Sequence, residues 1–147
     1  FKPKLTVINL NDVDVCHGNF TTYLGALHRA DHGVGHLWDV IQTQIPEMSG
    51  KTAMLIIPEC GRNLDHNPIT DENDWFAYDH SDQNSRRIFS MMVGPGIPSN
   101  LTIGSEGNPV GDSSDIIPTI AELLGFKNDV LSQGLIDPVA KSFFDQI

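Results

Sequence analysis

Only two cysteines, Cys16 and Cys60, occur in 147 residues, too few for the disulfide framework of a small secreted scaffold. Basic residues are also scarce, at 9 Lys and Arg against 19 Asp and Glu, for a net charge of −10. Phosphate-backbone binding needs a Lys/Arg surface, so this balance argues against nucleic acid as a partner. No run approaches the roughly 18 apolar residues of a membrane span. No signal peptide, internal repeat, low-complexity tract or linker is visible. What remains is an ordinary globular composition, 39% hydrophobic and 19% charged, of a length that suits one domain spanning residues 1–147. The chain opens on Phe1 rather than Met, which suggests a piece of something longer.

Apolar periodicity supplies the elements. Residues 4–10 form a short β-branched run of the kind that makes a buried strand, and residues 52–58 and 87–93 read the same way. Between the first two, Phe20, Tyr23, Leu24, Leu27, Val34, Leu37, Trp38 and Ile41 recur at helical spacing, predicting one long helix over 20–44. Residues 60–85 make a long polar excursion, and loops of that length in compact domains are commonly functional. A last helix is expected over 113–124, capped by Ser113 or Ser114 and stopped by Gly125. Strand, helix, strand with continuous apolar strands implies a parallel βαβ unit, and ligands of open parallel sheets lie beyond the strands' carboxyl ends.

Two polar clusters would then share one sheet edge. Asp12, Asp14, Cys16 and His17 follow the first strand, and Glu59, Cys60 and Arg62 follow the second. Carboxylate, thiolate and imidazole are the ligand types of zinc and similar divalent metals. Asp79–His80 adds another imidazole with a neighbouring carboxylate. The bland alternative is a polar loop whose aspartates cap turns. Arg62 is placed to clamp an oxyanion bidentately, with a surface Asp as its competing partner. His28, His32 and His36 form an i, i+4, i+8 stripe opposite the apolar face, with Arg29 where a zincin would carry its Glu; this reads as a solvated stripe. Gly94–Pro95–Gly96 lacks the Lys and Ser/Thr of a phosphate loop and reads as a turn.

Several segments together resemble the alkaline phosphatase and sulfatase superfamily. Asp115–Phe126 (DIIPTIAELLGF) is similar to that family's late "DI-PT-ELLG" segment, Ala30–Gly35 to the helix after its first metal motif, Glu59–Arg62 to its Ser-Asp-His-Gly strand end, and Met92–Ile97 to its "GPGI" strand end. The resemblance covers roughly residues 5–126, with the Glu-x-Gly-Arg form pointing to a divergent branch. It implies a three-layer α/β/α sandwich, here partial, with a mostly parallel sheet. It also implies hydrolysis of a small-molecule phosphate or sulfate ester beside one or two divalent metal ions, zinc foremost. Carried over by position, Asp14 or Asp12, His17 and His80 would hold the first metal, with Glu59 and Cys60 standing for the Asp and His of the second. The Asp-to-His spacing is three from Asp14 and five from Asp12, against the family's four. The family's nucleophile lies on an N-terminal portion, so this chain would be the C-terminal part of a larger enzyme, with a periplasmic or secreted setting favoured by the family alone. The alternatives are a non-catalytic metal- or ligand-binding domain on the same scaffold, and an interaction module with no metal.

Overall fold

A computed structural model describes residues 3–68, 70, 74 and 77–146. Its regular elements are α1 (Phe20–Gln44), β1 (Met54–Ile56), β2 (Met91–Val93), α2 (Ile116–Leu123) and α3 (Lys127–Ser132), with short 3₁₀ turns at Asp14–Cys16, Asn84–Arg86, Ser113–Asp115 and Phe143–Gln146. The chain divides into two compact units, one of residues 7–97 and one of residues 1–6 with 98–147.

The expected parallel α/β/α sandwich is not what forms. The described sheet has two strands, and β1 runs antiparallel to β2 with Met54 opposite Val93 and Ile56 opposite Met91. The reason lies in residues 4–10. Their apolar run forms no strand, and Leu5, Val7, Ile8 and Leu10 stand 47–82% exposed. Without that strand there is no βαβ crossover, and β1 instead pairs with the strand reached across the polar excursion, which an antiparallel pair permits. Gly94 closes this pair: its φ is +147°, and a Cβ there would sit 2.7 Å from the Ala53 Cα. Only glycine fits such an approach.

Helix α1 matches its expected span. Asn19 caps it, its Oδ1 accepting from the Thr22 N–H at 2.9 Å. Ala26 and Ile41 are buried on its inner face, while His28, His32 and His36 face solvent. No described helix is long and apolar enough to cross a membrane.

In the other unit the DIIPT segment makes a clamp. The cap of its helical stretch is Asp112 rather than a serine: Asp112 Oδ1 accepts from the Ser114 N–H, and Asp115 Oδ2 accepts from the Asp112 N–H, a reciprocal capping box. Gly125, at φ +81°, ends α2 as expected, with Gly125 N–H donating to Glu122 and Phe126 N–H to Ala121, the two bonds of a Schellman motif. Buried Asp115 also accepts from the Lys141 N–H at 2.8 Å, and buried Thr119 accepts from the Phe143 N–H at 2.8 Å while donating to the Asp115 carbonyl. The chain's final segment is thereby fastened to α2. Lys127 adds a second fastening, its Nζ donating to Glu122 at 2.8 Å and to both oxygens of Asp145 at 2.7 and 2.9 Å.

Two predictions follow from this clamp. Thr119→Val preserves shape but leaves the Phe143 N–H without its acceptor, so urea unfolding should show a loss of about 1–3 kcal/mol; unchanged stability would show that the clamp is incidental. Hydrogen bonds from Lys127 hold the Glu122 and Asp145 carboxyls below their ordinary range, and bonds to Asp145 and Glu122 hold Lys127 above its own. Depressed carboxylates contribute stability above their unfolded values near pH 4 that is lost as pH falls through the folded ones; a raised Lys contributes below its unfolded value and loses it on alkalinisation. Amide exchange at Ser142 and Phe143 should accordingly stay slow from about pH 5 to 10 after correction for intrinsic rates, and quicken below it. Lys127→Met should weaken that acid dependence without abolishing it, because the Ser142 N–H still donates to Asp145.

Candidate metal centre

Three segments of the unit spanning residues 7–97 build the site: the 3₁₀ turn Asp14–Cys16 with His17, the stretch after β1, and residues 79–82. The polar excursion is ordered by Asn63. Its side-chain amide donates to the Ser81 hydroxyl at 3.0 Å, while its Oδ1 accepts from the Ser81 and Asp82 N–H groups at 2.7 and 2.9 Å. Asp82 returns the grip, accepting from the Leu64 and Ser85 N–H groups. The Leu64 and Ser85 amides thus hold the Asp82 carboxyl below its ordinary value. Backbone bonds from Gly61 to Ser85 and from Asn67 to Ala77 extend the pairing. Residues separated by about twenty positions are so zipped together, which carries Asp79 and His80 alongside Arg62 and Asn63.

Arg62 joins the third segment. One guanidinium nitrogen donates to the His17 carbonyl at 2.9 Å, and the guanidinium carbon lies 4.4 Å over the Tyr23 ring. The Arg62 carbonyl accepts from Asn84 at 3.0 Å. Its Nε is buried without a hydrogen-bond partner among the described residues. In this arrangement Arg62 is a strut between α1, the His17 turn and the excursion. Phe20 widens the contact, packing at 5.8 Å against Tyr23 and 4.7 Å against Tyr78.

The result is a convergence of ligand-type side chains. His17 and His80 lie edge to face with ring centroids 4.9 Å apart. One donor atom each from His17, Asp79 and His80 falls within 4.8 Å of the others. His17 Nε2 is 3.3 Å from Asp14 Oδ1, and His80 Nε2 is 3.5 Å from Asp79 Oδ1. Both imidazole side chains are 45% exposed. Zinc bonds imidazole nitrogen and carboxylate oxygen at about 2.0–2.2 Å, so donors this close need to draw in by only about an ångström to share one ion. Two imidazoles and a carboxylate are also the donor set of an open, catalytic type of zinc site, with a further position left for water or substrate. The residues fit a divalent metal.

The remaining candidates divide. Asp12 turns away from the trio, its carboxylate 3.4 Å from Arg29 on α1 and its carbonyl accepting from buried Cys16 Sγ at 3.1 Å. Cys60 Sγ lies 3.8 Å from Glu59 Oε1, and burial, followed by the Glu59 and Asp14 carboxylates, pushes its thiol up from the ordinary value. Both cysteines are free. Asp79 was not singled out as a ligand by the sequence; its adjacency to His80 was the available signal.

Comparison with protein-family models, with curated proteins and with solved structures finds no match to this chain.

Residues that orient metal ligands from behind commonly change affinity 10–100-fold when replaced. Arg62→Met, which removes the guanidinium from both the His17 carbonyl and the Tyr23 ring, should weaken zinc binding by about tenfold or more in competition with a chromophoric chelator. Wild-type affinity would show that the His17 turn holds its place without the strut.

Proposed function

We propose that this chain is the metal-site portion of a metal-dependent phosphate- or sulfate-ester hydrolase, with the attacking nucleophile supplied from outside these 147 residues. The observation that carries the reading is the meeting of His17, Asp79 and His80 donor atoms within 4.8 Å. The motif resemblance across roughly residues 5–126 supplies the reaction class. A bound divalent ion, zinc by ligand type, would polarise the ester and stabilise oxyanion charge. His17, Asp79 and His80 would hold it, and Asp14, against His17 Nε2, would fix the ring as carboxylates behind metal-bound histidines do. Glu59 and Cys60, matched by the resemblance to the second metal's ligands, bring only two donors from this chain, so a second ion there would need ligands from the rest of the parent enzyme.

One observation favours the non-catalytic alternative, a metal- or ligand-binding domain. The trio is open to solvent, whereas charge stabilisation in hydrolysis is strongest in a water-excluded site. In the hydrolase reading the wall that closes this side belongs to the rest of the enzyme.

The assay compares the chain with its parent polypeptide. Zinc-loaded parent should turn over an aryl phosphate or aryl sulfate, with His17→Ala and His80→Ala each costing about 100-fold or more. The chain alone should turn over neither at any pH, because no Ser or Thr in it combines a strand-end position with an activating base. Robust turnover by the chain alone would contradict the divided site, and an inactive parent that still binds zinc through these residues would establish the binding domain.

A further inference from the structure

The exposed histidines of α1 take no part in the centre described above, yet their geometry is that of a chelate. Residues four apart on a helix carry their Cβ atoms about 5–6 Å apart on one face. His32 and His36 are so placed, both exposed, with ring centroids 6.5 Å apart and planes only 15° from parallel. With metal–imidazole bonds of about 2.0–2.1 Å, two rings sharing one ion place their centres roughly 5–6 Å apart. Small χ rotations, unhindered at the surface, close that gap. The approach is open: side chains added at Gly33 or Gly35, on either side of the pair, would meet nothing within 4 Å. His28, one turn earlier on the same stripe, offers a third imidazole to the His32 side. Arg29, the cation nearest in sequence to His28, directs its guanidinium to Asp12 at 3.4 Å.

We propose that His32 and His36 form a second transition-metal site, a two-histidine chelate on the solvent face of α1, completed by water and extended by His28. Its donors are imidazoles alone, so it takes zinc, nickel and copper in preference to magnesium or calcium, with copper the tightest. The site depends only on helical spacing, and therefore stands or falls separately from the hydrolase reading.

Zinc titration of the full chain by calorimetry, with histidine ring signals followed by NMR, separates the two sites. Wild type should bind two ions. His32→Asn with His36→Asn should bind one, leaving the His17 and His80 signals responsive. His17→Ala with His80→Ala should also bind one, now shifting His32 and His36. All four substitutions together should reduce binding by both equivalents, and magnesium should shift none of the α1 histidines. The α1 substitutions are exposed, and an unchanged helical circular dichroism signal confirms that folding is intact. Wild-type zinc stoichiometry and affinity in His32→Asn/His36→Asn would overturn the proposal, as would loss of all zinc from His17→Ala/His80→Ala.

Discussion

The site depends on Arg62 more than on any potential ligand. A single side chain reaches from the segment after β1 to the His17 carbonyl and lies across the Tyr23 ring of α1. Its neighbour Asn63 simultaneously holds Ser81 and Asp82. Adjacent residues thus grip two distant stretches of chain, and His17 and His80 meet because both are tied to this one point. A guanidinium suits the task, since its planar fork serves a carbonyl at the edge and an aromatic ring at the face.

This arrangement explains how a metal-type cluster forms without a parallel sheet. Strand ends at one edge of a doubly wound sheet are one way of bringing separate loops together. Here two short antiparallel strands fix little, and side-chain-to-backbone bonds within the polar excursion supply the order. Such bonds compete well with regular structure where Asn, Asp and Ser are dense, as they are over residues 63–85.

What was legible in the sequence followed from periodicity and short-range chemistry. Helix α1 announced itself through eight apolar positions at one spacing, and Gly125 through its place after the DIIPTIAELL run. The histidine stripe was correctly assigned to the outer face. The parallel sandwich was not there to read: an apolar run at 4–10 has strand propensity, but a strand needs a partner, and β-propensity measures fit to neighbours rather than an intrinsic preference. Asp112 outcompeted Ser113 and Ser114 as cap because it can exchange reciprocal bonds with Asp115. The strut role of Arg62 was invisible for a similar reason, since its partners His17 and Tyr23 lie 45 and 39 positions away, beyond any local pattern.

The central claim is that His17, Asp79 and His80 share one ion. X-ray absorption at the zinc edge, on His32→Asn/His36→Asn protein loaded with one equivalent, tests it without interference from α1. The account predicts imidazole scattering from two histidines with a carboxylate oxygen in the first shell, at about 2.0–2.2 Å, reduced to one imidazole in the additional His80→Ala variant. A fully aquated zinc spectrum, or one unchanged by His80→Ala, would contradict it.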